Sequence, residues 1–228
     1  MEAFAAGCRG RMASTEALVL ESGAAAFYGV RPAWSRLWQQ AKAEGRDWYY
    51  IDNAFFDVDR EQRFRVAKNC VQLSSFRRRD YPAFRGVIKP WRTDGEHIVV
   101  CSQSDEFMRT VIGFNEHWAD TVCSVLQRYT TRPIIRRSKG SKASLERALM
   151  NAWAVVAHSS AVANEALLAG IPVFALGPCA ASSMALSDLS RIENPWLPDG
   201  RAEWSAAVAA HQWTLAEMAQ GQAWRALH

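Results

Sequence analysis

The chain has 228 residues, 49% apolar and 22% charged, with 27 Lys and Arg against 23 Asp and Glu for a formal net charge of +4. This is the composition of a globular chain able to bury a proper core, as one α/β domain or two small lobes. No run of about 18 apolar residues occurs, so no membrane span is expected. Met1 to Ser14 lacks the apolar stretch of a secretory signal, which makes the cytoplasm the expected compartment. The five cysteines, Cys8, Cys70, Cys101, Cys123 and Cys179, are odd in number and form no C-x-x-C pair. Reduced thiols are expected, with neither a zinc site nor a disulfide framework.

In chain order, Ala17 to Glu21 reads as a first strand, followed by a Ser22-Gly23 turn and a loop holding Tyr28 and Gly29. Pro32 starts a helix from Arg31 to about Ala43, striped by Trp34, Leu37 and Trp38, and Gly45 stops it. Trp48 to Ile51 is a second strand ending at Asp52-Asn53, and Phe64 to Asn69 a third. From His97 the pattern alternates: strand His97 to Cys101, helix Glu116 to Arg128, strand Pro133 to Arg137, helix Ser144 to Ala152, then strand, helix and strand. Such alternation specifies a parallel sheet. Arg201 to Leu227 reads as helical, anchored by Trp204, Trp213 and Trp224. A lobe boundary is expected between Lys89 and Gly95.

The most informative stretch runs from Ala154 to Gly177. Val155 and Val156 make a short apolar strand, with His158, Ser159 and Ser160 at its carboxyl end. Ser160 suits the N-cap of a helix from Ala161 to Ala169, Gly170 suits its C′ position, and Val173 to Leu176 re-enters the sheet. Open α/β sheets bind ligands at the carboxyl ends of their strands. Ser102, Gln103 and Ser104, then Arg136, Arg137 and Lys139, then His158 to Ser160, then Gly177 are therefore expected on one rim. Helix amides with Arg137 and Lys139 suit a diphosphate. Glu165 is placed to take two ribose hydroxyls; the bland reading is an exposed helix glutamate. His158 is equally readable as a satisfied buried histidine.

Between Phe76 and Arg92 six basic residues (Arg77, Arg78, Arg79, Arg85, Lys89, Arg92) stand against Asp80 alone, interleaved with Phe76, Tyr81, Phe84 and Trp91. Cations that neutralise phosphates and rings that stack on bases are what a nucleic acid requires. A solvated basic loop whose aromatics pack on the core is the alternative.

His158-Ser-Ser with Glu165-Ala, Gly170-Ile-Pro-Val and a preceding Arg137-Ser-Lys139 resembles the nucleotide-sugar half of glycosyltransferases of two-Rossmann, GT-B architecture. The likeness is to bacterial capsule-type transferases and small phage-encoded, DNA-modifying relatives. Tyr50-Ile-Asp-Asn-Ala-Phe-Phe and Phe64-Arg-Val-Ala-Lys-Asn look like its first lobe, and Arg201-x-x-Trp204 with His211-Gln-Trp-Thr-Leu-x-Glu217 like its phage members. Relatives often carry a proline in the Arg-x-Lys element, and Lys142 is a substitute for Lys139. The resemblance implies an α/β fold with two Rossmann-like lobes, parallel sheets and a ligand crevice between them, the N-terminal lobe being trimmed. It places an acceptor-binding lobe at 1–92, a nucleotide-sugar lobe at 93–200 and packing helices at 201–228.

The implied activity is transfer of a sugar from a nucleotide sugar, with a UDP-sugar as the expected donor, to an acceptor hydroxyl. No cofactor or metal is required in principle, since helix amides and cations stabilise the leaving phosphate. Asp52 is the candidate base, with Asp57 or Glu21 as substitutes and turn capping through Asn53 as the bland reading; a retaining enzyme would not need it. Arg137, Lys139, His158, Ser159, Ser160, Glu165 and Gly177 are the donor set. Arg77, Arg78, Arg79, Tyr81 and Trp91 are the acceptor set for the leading acceptor, a 5-hydroxymethylpyrimidine in duplex phage DNA. A surface or capsular polysaccharide acceptor is the second reading, and a nonenzymatic nucleotide- or nucleic-acid-binding protein the third. Neither a G-x-G-x-x-G fingerprint after the first strand nor a P-loop is present.

Overall fold

The computed structural model describes residues 1–228 except 14–19, 21–22, 30–31, 57–60, 77–83, 85, 115–116, 139–140 and 142–143, and except the side chains of 32–34. The helices and strands, in order, are α1 (Glu2–Gly7), β1 (Ala25–Tyr28), α2 (Pro32–Ala43), β2 (Trp48–Asn53), β3 (Phe64–Lys68), β4 (His97–Cys101) and α3 (Asp105–Phe107), which runs on into a π-helical turn, Met108–Ile112. Then come α4 (Trp118–Leu126), β5 (Ile134–Arg137), α5 (Leu145–Leu149), β6 (Ala152–Ala157), α6 (Val162–Leu168) and β7 (Val173–Ala175). After two short 3₁₀ turns follow α7 (Arg201–Ala209), β8 (Gln212–Trp213), α8 (Leu215–Ala219) and α9 (Gln222–Ala226). The chain forms two units: Met1–Ala83 with Ala207–His228, and Phe84–Ala206.

The first unit is built on a sheet of order β1-β2-β3-β8. β1 and β2 are parallel, joined through α2, whereas β3 runs antiparallel to both β2 and β8. The expectation of a parallel sheet here is therefore corrected. Ten residues separate Asn53 from Phe64, and a parallel return needs a crossover of about a dozen or more. Side chains alternate between faces along a strand. Tyr49, Ile51, Phe64 and Val66 form a buried cluster with Phe4 of α1, Met218 of α8 and Ala223 of α9. The contact is close: a Cβ on Gly7 would lie 2.0 Å from the Met218 carbonyl oxygen. Trp48 is buried and meets Trp38 of α2 edge-to-face at 5.4 Å.

The second unit holds an all-parallel sheet of order β5-β4-β6-β7. Ile98, Val99 and Val100 of β4 and Val155 and Val156 of β6 are completely buried. Unbroken apolar runs of this kind are what strands covered on both faces require. Residues 89–92 lie along the end of α6, where Lys89 N–H donates to Leu168 O (2.9 Å) and Arg92 N–H to Gly170 O (2.7 Å). Gly170, at φ +76°, has no room for a side chain: a Cβ would lie 1.9 Å from the Pro90 oxygen.

Several boundaries differ from the sequence reading. The first strand is Ala25–Tyr28, in the stretch read as a loop; of Ala17 to Glu21 only Leu20 is described, and it is not in a strand. α1 packs into the core although half of its sequence is alanine, because Phe4 supplies its one large buried side chain. α5 ends at Leu149 instead of Ala152: Asn151 takes φ +57° and Ala152 already belongs to β6. The stretch Arg201 to Leu227 is broken by β8, after which Thr214 and Glu217 form a reciprocal capping box that restarts helix as α8.

Candidate functional site

Sheet order identifies where a ligand site belongs in the second unit. From β4 the chain passes to β5 on one side, and from β6 to β7 on the other, so the order reverses between the carboxyl ends of β4 and β6, where a crevice opens in sheets of this type. Cys101 and Ala157 are register partners at that point. The loops beyond are tied across the gap, since the Gln103 side-chain amide donates to Ser159 O at 3.1 Å. Ser102 N–H donates to Arg137 O (2.9 Å), which brings the end of β5 to the same rim.

The His158-Ser159-Ser160 turn leaves this edge. Ser159 is buried and its Oγ lies 3.3 Å from His158 Nδ1. Ser160 Oγ accepts from Val162 N–H at 3.3 Å, but α6 starts at Val162 with Ala161 as its N-cap and no side-chain cap bond. The expected N-cap role of Ser160 is therefore corrected: the helix begins one residue later than read, and Ser160 holds the turn before it. The His158 ring meets Trp118 of α4 edge-to-face at 6.2 Å. Gly177 N–H donates to His158 O (3.1 Å), and a Cβ on Gly177 would lie 2.2 Å from His158 Cε1. The glycine is thus the space in which the imidazole sits. Partial burial pulls the His158 pKa below its ordinary value, so the ring is neutral at pH 7.

Arg137 and Glu165 act on the same floor. Burial pushes the Cys101 thiol up to about 12, while Arg137 lowers it and Glu165 raises it electrostatically. A cation and a carboxylate therefore lie within electrostatic reach of the last residue of β4. Asn164, one residue before Glu165, is completely buried with neither amide atom hydrogen-bonded. Arg136 points away into an exposed ion pair with Asp120. Lys139 and Lys142 lie outside the described residues.

Asp52 belongs to the first unit, near the end of β2. Its Oδ2 accepts from Arg65 Nη2 (2.7 Å) and Tyr50 OH (3.3 Å), and its Oδ1 from Asn53 N–H (2.8 Å). Burial first, then the Asp52 charge, pushes the Tyr50 phenol up, so it stays protonated and donates. Arg65, which no sequence signal singled out, is buried and also donates to Asn53 O (2.9 Å). Asp57 and Glu21 lie outside the described residues.

Of the acceptor set, Arg77, Arg78, Arg79 and Tyr81 lie outside the described residues. Trp91 is occupied internally: its indole N–H donates to Pro198 O (3.2 Å), and the Arg201 guanidinium lies 3.7 Å from its ring centre. Arg92 donates to Leu149 O (2.8 Å) and Ala152 O (3.0 Å). Phe76 packs edge-to-face on Phe55 (5.6 Å) and His211 (5.2 Å). Among the described residues, no cluster of three or more His, Cys, Asp or Glu is placed to hold a metal, and no helix is long and apolar enough to cross a membrane.

No protein-family model matches the chain, and no curated protein matches it. Among solved structures it is similar to KpsC of Thermosulfurimonas dismutans, a beta Kdo 2,4 transferase, with 12% identity, a TM-score of 0.44, and 80% of this chain and 78% of that one covered.

Proposed function

We propose that the protein is a glycosyltransferase that takes its nucleotide-sugar donor at the carboxyl edge of β4 and β6. The observation that carries this reading is the strand-order reversal occupied by Gln103, His158, Ser159 and Ser160, with Arg137 and Glu165 acting on Cys101 beneath it. Hydroxyls, a neutral imidazole and a cation suit a phosphate, and Glu165 suits ribose hydroxyls. A UDP-sugar is the first donor to test. In an inverting transfer the acceptor hydroxyl attacks the anomeric carbon as its proton passes to Asp52. The bond from that carbon to the phosphate oxygen breaks, and its electron pair leaves with the nucleotide, where Arg137 and Lys139 offset the charge.

For the acceptor we favour a glycan hydroxyl, as in surface polysaccharide synthesis, over a 5-hydroxymethylpyrimidine in DNA. Trp91 and Arg92 are engaged in internal contacts and offer no stacking platform. Of the acceptor set, that leaves a duplex Arg77, Arg78, Arg79 and Tyr81. The test is incubation with UDP-, GDP- and CMP-sugars and three acceptors: an oligosaccharide mixture, plain duplex DNA and hydroxymethylated duplex, each read by mass spectrometry. Nucleotide release that disappears in Glu165→Ala, with a sugar-sized mass gain on the oligosaccharide, supports the reading. A mass gain on the hydroxymethylated base alone moves the acceptor to DNA. Binding without release in any mixture makes the protein a nonenzymatic nucleotide binder.

A further inference from the structure

Sheet register places Asp52 beside Arg65 and Arg65 beside Gln212, one residue on each of β2, β3 and β8. Directly paired residues project to the same face, so the three form one polar row across the sheet. The row is buried inward from Asp52: Arg65 is 8% exposed and Gln212 1%. Its two ends hold the same stretch of chain. At one end Arg65 grips the Asp52 carboxylate and the Asn53 carbonyl. At the other, Gln212 Oε1 accepts both Phe55 N–H (2.6 Å) and Phe56 N–H (3.0 Å) in the turn that follows. Arg65 also lies over the Phe55 ring at 5.6 Å.

The row is costly for what it contributes to stability. Arg65 Nε and Gln212 Nε2 are both buried without a hydrogen-bond partner. Unsatisfied buried donors are penalised, and well-packed apolar residues in place of a buried ion pair are often neutral or stabilising. What the row does accomplish is geometric, since among the described residues the side-chain hydrogen bonds of Arg65 and Gln212 end on Asp52, Asn53, Phe55 and Phe56.

We infer that Arg65 and Gln212 are positioning residues for Asp52: Arg65 fixes its carboxylate and Gln212 fixes the turn behind it. This rests on the assignment of Asp52 as the base of the transfer. Both side chains act through Asp52 and the turn that follows it, not through donor binding. Their loss therefore lowers turnover by about 100-fold, the effect of misplacing a reacting group by about 1 Å, and leaves donor KM unchanged.

The experiment compares Arg65→Met, Arg65→Lys, Gln212→Leu, Gln212→Glu and Asp52→Asn in the full chain. Each is read by transfer kinetics with whichever of the UDP-, GDP- and CMP-sugars the wild type uses, by thermal unfolding, and by amide hydrogen exchange at Phe55 and Phe56. The expected result is folded Arg65→Met and Gln212→Leu proteins with low kcat and unchanged donor KM. Gln212→Leu also speeds exchange of the two amides, whereas Gln212→Glu, which keeps an acceptor oxygen, restores both protection and most of the turnover. Unchanged kcat in Arg65→Met and Gln212→Leu overturns the inference, as does a loss of kcat that only follows loss of fold across all four variants. Failure of the underlying reading is separately visible, as undiminished transfer by Asp52→Asn or no transfer by the wild type with any donor.

Discussion

Gly177→Ala is the sharpest perturbation the second unit offers, because one methyl group meets one ring. The added Cβ would lie 2.2, 2.5 and 2.6 Å from His158 Cε1, Nδ1 and Nε2. Relief requires the imidazole to leave its packing on Trp118 and its contact with Ser159. Overpacking of this kind costs about 1–3 kcal/mol. At about 2–4 °C per kcal/mol for a chain of this length, the melting temperature falls by roughly 2–12 °C. The cause is isolated by a double-mutant cycle in thermal or urea unfolding. In a His158→Ala background the obstacle is gone, and Gly177→Ala should cost less than about 0.5 kcal/mol. Equal costs in both backgrounds would refute the role given to Gly177 as the space for His158.

Other perturbations probe the surrounding contacts. Arg92→Ala removes two charge-assisted hydrogen bonds to Leu149 O and Ala152 O, so urea unfolding should show a loss of about 1.5–3 kcal/mol; an unchanged midpoint would return Arg92 to ligand binding. Gly170→Ala combines positive φ with a backbone clash at Pro90 and should destabilise by about 3 kcal/mol, seen as poor recovery and a lowered melting point. His158 has a folded-state pKa below its unfolded value, so the unfolded chain binds more protons in the interval between them. Its contribution to stability is present above the unfolded pKa of about 6.5 and is lost as pH falls toward the folded one. Stability measured across that interval should be less pH-dependent in His158→Gln than in the wild type.

The second unit was far more legible than the first, for physical reasons. His97–Cys101 and Val173–Ala175 are short apolar runs bounded by polar turns, and buried parallel strands need no other signal. Gly170 announced the end of α6 because only a glycine fits both its φ and the approach of Pro90. In the first unit β1 is four residues of AAFY, two of them alanine, which carry little strand preference. The pairing of β8 with β3 joins residues about 150 apart in sequence, beyond any local pattern. The site divides in the same way. His158, Ser159, Ser160 and Gly177 were readable as the polar end of a strand and the turn facing it. Arg65 and Gln212 looked like ordinary strand residues until register set them beside Asp52. Trp91 and Arg92 bear on the two readings kept for the basic aromatic stretch, since composition does not distinguish a ligand platform from side chains turned inward onto backbone carbonyls.

The most direct test of the donor site is amide hydrogen exchange with and without UDP and a UDP-sugar, followed by mass spectrometry. If the nucleotide lies at the strand-order reversal, exchange should slow in the segments holding Ser102 to Ser104 and His158 to Glu165, and this slowing should be lost in Arg137→Ala with Glu165→Gln. Binding with no change in those segments, or with slowing confined to the groove of Gln127 to Arg132 where the chain enters β5, would contradict the assignment.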